Sequence, residues 1–94
     1  MEALRHNTGK PKLSMVALDC LEDCARVLEY GATKYEKNNW RQGFPVSGLL
    51  DSLLRHISEL QKGNKVDDES GLSHIGHIQA NAMFLGNYRN EEEL

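Results

Sequence analysis

Apolar residues recur at three- and four-residue steps in three segments of this chain, which is the spacing of an amphipathic helix. These segments cover residues 14–32, 47–60 and 72–85. No segment alternates β-branched and polar residues as a half-buried strand would. The sequence therefore predicts an all-α fold built from three main helices.

Each predicted helix has an apolar stripe that we expect to be buried. Ser14 or Asp19 is expected to cap the first helix and Ser47 the second, because oxygen-bearing side chains bind the free backbone N–H groups there. We expect the stripes to consist of Met15, Leu18, Leu21, Ala25, Leu28 and Ala32 in the first helix, Leu49, Leu50, Leu53, Leu54, Ile57 and Leu60 in the second, and Leu72, Ile75, Ile78, Ala82 and Leu85 in the third.

The length of 94 residues is near the lower limit for an independent core, and predicts a single domain over residues 1–94. Residues 1–13 have no helical period and are predicted to form an extended arm, and residues 90–94 an acidic tail. A long polar loop, "KYEKNNWRQGFP", follows the first helix. Because three helices bury little apolar surface, we expect a small helical bundle that is completed by formation of a homo-oligomer.

The net charge of −3 argues against a broad basic face, so we expect no nucleic acid polymer as a partner. No apolar run is long enough to span a membrane and no signal-peptide pattern is present, which predicts a cytoplasmic protein without a membrane partner. Cys20 and Cys24 lie four residues apart with no further ligand nearby, and are interpreted as reduced, buried apolar residues.

The third predicted helix has His74, His77 and Asn81 beside its apolar stripe, and the second has His56 and Glu59 beside its own. These edges face each other if the two helices pack as antiparallel neighbours. Imidazole nitrogens and carboxylate oxygens suit a divalent cation, so the two histidine pairs and the glutamate form a candidate metal site. A hydrogen-bonded seam between packed helices has the same spacing, and the asparagine could serve helix pairing alone.

The loop after the first helix gathers cations around a single indole. Lys34 and Arg41 flank Trp40 in the sequence, and an indole can stack on a base while a cation contacts phosphate. Lys10 and Lys12 could close over an anion in the same way. The alternatives are a tryptophan that anchors the loop against the helices and lysines that belong to a flexible arm.

The acidic loop Asp67-Asp68-Glu69 before the third helix could add carboxylates to a metal site. It could equally be a solvated helix entry, because acidic residues before an N-terminus interact favourably with the helix dipole. Asp51 and Arg55 lie four residues apart and are expected to form a surface ion pair.

The segments "EYGATKY", "NNW", "LLRH" and "SGLSHIGHIQANAMFL" resemble the N-terminal domain of phage dATP/dGTP diphosphohydrolases, relatives of the all-α MazG-type nucleotide pyrophosphohydrolases. The resemblance implies an oligomeric helical bundle that binds purine nucleotides with Mg²⁺ or Mn²⁺ in the cytoplasm of an infected bacterium. It further implies attack of water on the phosphate chain, with release of pyrophosphate and a nucleoside monophosphate.

The resemblance is incomplete at the acidic motifs of the wider MazG superfamily, ExxE and ExxD. Here they read "HISE", His56 to Glu59, and "HIGH", His74 to His77. Because these motifs hold the metals in the superfamily, we predict metal binding by all four residues and a catalytic role for His56 and Glu59. From the residue types and spacing given above we predict ligand binding by Lys10, Lys12, Lys34, Trp40, Arg41 and Asn81.

The loss of carboxylates in these motifs leaves two functions open. One is a metal-dependent (d)NTP pyrophosphohydrolase. The other is a non-catalytic sponge that sequesters a nucleotide signal of host defence, a cyclic oligonucleotide or an ADP-ribose derivative. For either function we expect the histidine edges of the last two helices to meet at one cavity, with the tryptophan loop as its lid.

Overall fold

Three α-helices form the body of the protein in the computed structural model, which describes residues 2–6 and 8–88. They are α1 (Glu22–Lys34), α2 (Val46–Gln61) and α3 (His74–Gly86). Short 3₁₀ turns occur at Leu13–Met15, Leu18–Leu21 and Asn39–Gln42, and the described residues contain no strand, only one isolated bridge. The all-α prediction with three main helices is confirmed.

Helix α3 is the central element, because both α1 and α2 pack mainly against it. The side chain of Asn81 donates to the hydroxyl oxygen of Ser52, and the ring of His56 stacks on that of His77, so α2 and α3 run antiparallel. On the other side of α3 the core consists of Cys24, Val27 and Ala80. The two sides of α3 therefore differ: it contacts α1 through apolar residues and α2 through polar ones.

Gly76 allows α1 and α3 to approach closely. A Cβ atom at this position would lie 2.5 Å from the backbone oxygen of Asp23 and 3.0 Å from the side chain of Val27. Real side chains do not make such contacts, so any larger residue would push the two helices apart.

The start of the first helix differs from the prediction. Helix α1 begins at Glu22, and neither Ser14 nor Asp19 caps it. Met15 and Leu18 are 82% and 75% exposed in the 3₁₀ turns that precede the helix. Because so little of these side chains is buried, apolar packing does little to stabilise a continuous helix over this segment.

The buried stripes are also partly wrong. Leu50 and Leu54 of α2 and Ile75 and Ala82 of α3 are exposed, whereas His74 and Asn81 are buried. The physical reason is that α3 lies between two partners and buries two faces, so no single apolar stripe marks its interior.

The helix termini use other residues than expected. Pro45 is at the N-cap of α2, in place of Ser47, and its fixed φ angle suits the start of a helix. Ser73 caps α3 by accepting a hydrogen bond from the backbone N–H of Ile75. The described residues of the N-terminal arm are exposed, and none of them before residue 13 is helical. The predicted acidic tail lies outside the described residues. No helix in the described part of the chain is long and apolar enough to cross a membrane.

Candidate functional site

The connection between α2 and α3 folds back on itself as a short hairpin-like loop. Val66 and Ser73 form an antiparallel bridge, and the N–H of Asp67 donates to the backbone oxygen of Leu72 over 2.8 Å. The carboxylate of Asp67 accepts the backbone N–H of Ser70, also at 2.8 Å. These bonds hold the carboxylate against the start of α3, beside the histidines.

Three imidazoles meet where α2 packs on the first turn of α3. The Nδ1 atoms of His56 and His74 are 2.8 Å apart, and the ring of His77 stacks on His56 with 4.5 Å between centroids and 6° between planes. His56 and His74 are 6% and 4% exposed. The antiparallel packing thus brings together the histidines that the sequence singled out.

His56, Asp67 and His74 each offer one ligand atom within 4.8 Å of the others. In the short contact between the two imidazoles, one Nδ1 must donate a proton and the other accept it. Two imidazole nitrogens and one carboxylate oxygen form a donor set that suits transition-metal ions better than Mg²⁺, which prefers oxygen. The residues present therefore fit a divalent ion.

His77 lies outside this three-residue cluster. Its Nε2 is 2.7 Å from the hydroxyl of Ser70 and 3.8 Å from the carboxylate of Asp67. Ser70 consequently contacts the aspartate through its backbone and the histidine through its side chain. The geometry gives His77 a supporting position beneath His56, and its role as a ligand stays a prediction.

Burial favours the neutral form of two of these imidazoles, His56 and His77. Desolvation lowers the pKa of His56, and the neighbouring charge of His77 lowers it further. Desolvation also lowers the pKa of His77, although Asp67 acts in the opposite direction. For Asp67 itself burial acts to raise the pKa, but the hydrogen bonds from Ser70 outweigh it and the pKa lies below its usual value. Neutral imidazoles and an ionised carboxylate are the forms that bind metals.

Glu59 is near the cluster but is engaged elsewhere. Its carboxylate accepts the amide of Asn64 at 2.6 Å and the ammonium of Lys62 at 3.3 Å. These two hydrogen bonds lower the pKa of Glu59. The residue lines the same pocket as the cluster, and its catalytic role stays a prediction.

A polar pocket of about 660 Å³ opens beside the cluster. His56, His74 and Asp67 line it, together with the cations Arg55 and Lys65. The expected ion pair between Asp51 and Arg55 is not formed: among the described residues neither of the two pocket cations has an ion-pair partner. No local sequence pattern marks these cations or Asp67 as part of the site, although the acidic loop is a possible source of carboxylates.

The loop that contains Trp40 lies away from the histidine cluster and does not cover this pocket. Trp40 packs on Phe84 with 5.5 Å between ring centroids, and the guanidinium of Arg41 lies 4.2 Å from the indole centroid. Trp40 lines a separate apolar pocket of about 480 Å³ with Phe44 and Phe84. Phe84 lies ten residues along α3 from His74, a rise of about 15 Å. The expected lid over the histidines is therefore wrong.

The other predicted ligand-binding residues do not converge on the cluster either. Lys10 and Lys12 are exposed in the arm. Lys34 pairs with Glu69 at 3.5 Å. Asn81 is buried and donates to the hydroxyl oxygen of Ser52 in α2, which is the helix-pairing role considered as its alternative. No contact described here supports ligand binding by these residues, and that role stays a prediction.

Fold and site together define a small all-α bundle with a candidate divalent-metal site at the floor of a polar pocket. The sequence profile described as dATP/dGTP diphosphohydrolase, N-terminal, matches residues 2–94. The chain belongs to this family, and the resemblance inferred from the sequence is confirmed.

A relative from Salmonella phage PMBT28, named dATP/dGTP diphosphohydrolase, is 41% identical over 85 residues. The alignment covers 90% of this chain but 29% of the relative, so the chain spans under a third of the length of that protein. No solved structure matches the chain.

Proposed function

We propose that this chain binds purine deoxynucleoside triphosphates together with a divalent cation and hydrolyses dATP or dGTP to the monophosphate and pyrophosphate. The observation that carries the proposal is the buried cluster of His56, Asp67 and His74 at the floor of a polar pocket. The name of the phage relative supports the same activity and the same substrates.

The residues of the site would have different roles in the proposed hydrolysis. His56, His74 and Asp67 would hold Mn²⁺ or Mg²⁺, which when bound neutralises charge on the phosphate chain and activates water. Glu59, still ionised at neutral pH and lining the same pocket, would orient the attacking water. His77 would keep His56 in place by ring stacking.

The test is turnover by the purified chain. Protein incubated with dATP or dGTP and Mn²⁺ or Mg²⁺ should release pyrophosphate and the monophosphate, detected by chromatography. His74→Ala should abolish release. His6→Ala is the matched control, because His6 is an exposed imidazole of the arm. Equal release by wild type and His74→Ala, or no release with either ion, would contradict the proposal.

A second candidate is binding without cleavage, as in a sponge for a nucleotide signal. The comparisons do not support it. The observation that favours it is chemical: the cluster holds one carboxylate beside two imidazoles, and Glu59 is bound by Asn64 and Lys62. Hard cations on phosphate prefer a set richer in oxygen. Mass spectrometry of bound dATP, released by denaturation after incubation, separates the candidates: intact triphosphate supports binding alone.

Self-association is part of the proposal. Leu50 and Leu54 on α2 and Ile75 on α3 are 43%, 60% and 48% exposed. Large apolar side chains at the surface of a small bundle are typical of faces that a second copy covers. Light scattering should give a mass above 10.6 kDa, and Leu54→Asp should shift the mass towards that of one chain. A wild-type chain that is monomeric at micromolar concentration would exclude this part.

A further inference from the structure

The polar pocket contains two cations for which the chain itself supplies no partner. Arg55 precedes His56 in α2, and Lys65 lies two residues before Asp67 in the hairpin-like loop. Neither forms an ion pair among the described residues. Both therefore lie beside the candidate metal ligands with their hydrogen-bond donors available to a ligand.

The charges that line the pocket indicate which class of ligand it can bind. Arg55 and Lys65 face three carboxylates in the same pocket, those of Glu59, Asp67 and Asp68. Without a metal ion the excess of carboxylates repels an anion. A divalent cation bound at the cluster reverses that balance, and a planar guanidinium with a nearby ammonium then suits phosphate oxygens. The volume of about 660 Å³ is within the range of small-molecule sites.

The same pocket has no aromatic residue other than histidine on which a base could stack. Its lining, all within the described residues, includes imidazoles but no Phe, Tyr or Trp. The aromatic residues Trp40 and Phe84 belong to the apolar pocket, about 15 Å further along α3. Trp40 is moreover occupied, with Phe84 near one side of the indole and Arg41 over its ring. A nucleotide with its phosphates at the cluster does not stack its base there.

We infer that the polar pocket is a metal-dependent triphosphate-binding site that binds the phosphate chain through Arg55 and Lys65 and offers the base no aromatic residue on which to stack. The inference rests on the proposed function for the location of the metal. It assigns these two cations to binding of the phosphate chain.

The test compares inorganic triphosphate, dATP and dCTP by calorimetry with wild-type protein in saturating Mn²⁺. All three ligands should bind, because the phosphate chain makes the contacts, and omission of the ion should abolish binding. Arg55→Gln and Lys65→Gln should each weaken all three ligands about tenfold, which is the loss of one charge-assisted contact. Arg26→Gln, at an exposed arginine of α1 far from the pocket lining, is the matched control and should bind normally.

The measured outcomes distinguish failure of this inference from failure of the proposed hydrolytic activity. Failure of inorganic triphosphate to bind would overturn the inference, as would unchanged affinity in both glutamine variants. Binding of all three ligands without cleavage of dATP would sustain the inference while the proposed activity failed. Cleavage of dATP with an unchanged KM in Arg55→Gln and Lys65→Gln would overturn the inference and leave the activity standing.

Discussion

The two ends of α3 are built on opposite chemistry. Near its N-terminus buried imidazoles and a carboxylate contact α2 and the preceding loop, and near its C-terminus Phe84 packs against Trp40 and Phe44. Buried polar groups cost free energy unless they are hydrogen-bonded, whereas aromatic packing stabilises the fold directly. The polar end is a hydrogen-bonded candidate metal site, whereas the aromatic end contributes apolar packing that stabilises the bundle.

The largest effect that would test this contrast is on metal affinity. Asp67→Asn removes the only carboxylate of the cluster, so we expect Mn²⁺ to bind about 100-fold more weakly, about 2.7 kcal/mol. Calorimetry measures this change in Mn²⁺ affinity. Asp68→Asn is the matched control, since its carboxylate lines the pocket but not the cluster, and its effect should be several-fold smaller. Equal losses in the two variants would remove Asp67 from the site.

Trp40→Ala tests the other end. Loss of the half-buried indole from its contacts with Phe84 and Arg41 should lower the free energy of unfolding by about 2 kcal/mol, less than for a fully buried Trp. Urea denaturation measures the change. Mn²⁺ affinity of the folded variant should remain that of wild type. Weaker Mn²⁺ binding by the folded variant would show that the two ends of α3 do not act independently.

Gly76→Ala tests the contact between α1 and α3. The added methyl group collides with the backbone of Asp23, which costs about 1–3 kcal/mol, while alanine gains about 1 kcal/mol in helix propensity. We expect a net loss near 1 kcal/mol by urea denaturation. Gly48→Ala in α2 is the control: a Cβ there meets no atom within 4 Å, so this variant should be as stable as wild type or more stable. Equal changes in the free energy of unfolding for Gly76→Ala and Gly48→Ala would refute close packing at Gly76.

The smallest effect is expected from pH. The pKa values of His56 and His77 are lowered in the folded protein by burial first, so below about pH 6.5 the unfolded chain binds more protons than the native one. Stability should be full above that pH and fall as the solution is acidified, by no more than about 1.4 kcal/mol per pH unit for each imidazole. Denaturation midpoints between pH 8 and 5 measure the slope, and a midpoint that rises on acidification would contradict it.

Helical periodicity was sufficient to predict the three helices and the side of α2 and α3 on which the histidines meet, because antiparallel packing follows from a short connection. It could not identify the buried face of α3, where Gly76 and Ala80 contact α1 while His74 and Asn81 face α2. A helix with two partners has no single apolar stripe.

Two features of the site depend on long-range geometry that no local pattern contains. Asp67 joins the cluster because the bridge between Val66 and Ser73 turns its carboxylate inward, and nothing in the acidic run distinguishes it from its neighbours. Trp40 lies far from the histidines because it packs on Phe84 at the other end of α3. The roles of the individual site residues remain predictions until the variants are measured.

The Nδ1–Nδ1 contact between His56 and His74 has a kinetic consequence. As long as the rings share a hydrogen there, neither atom has a free lone pair, because one carries the hydrogen and the lone pair of the other accepts it. Before both could coordinate the same ion, the donor ring would have to carry its hydrogen on Nε2, a tautomer exchange that requires a solvent molecule as proton carrier. Association of the ion would then be slower than diffusion, and deuterium oxide should slow it further.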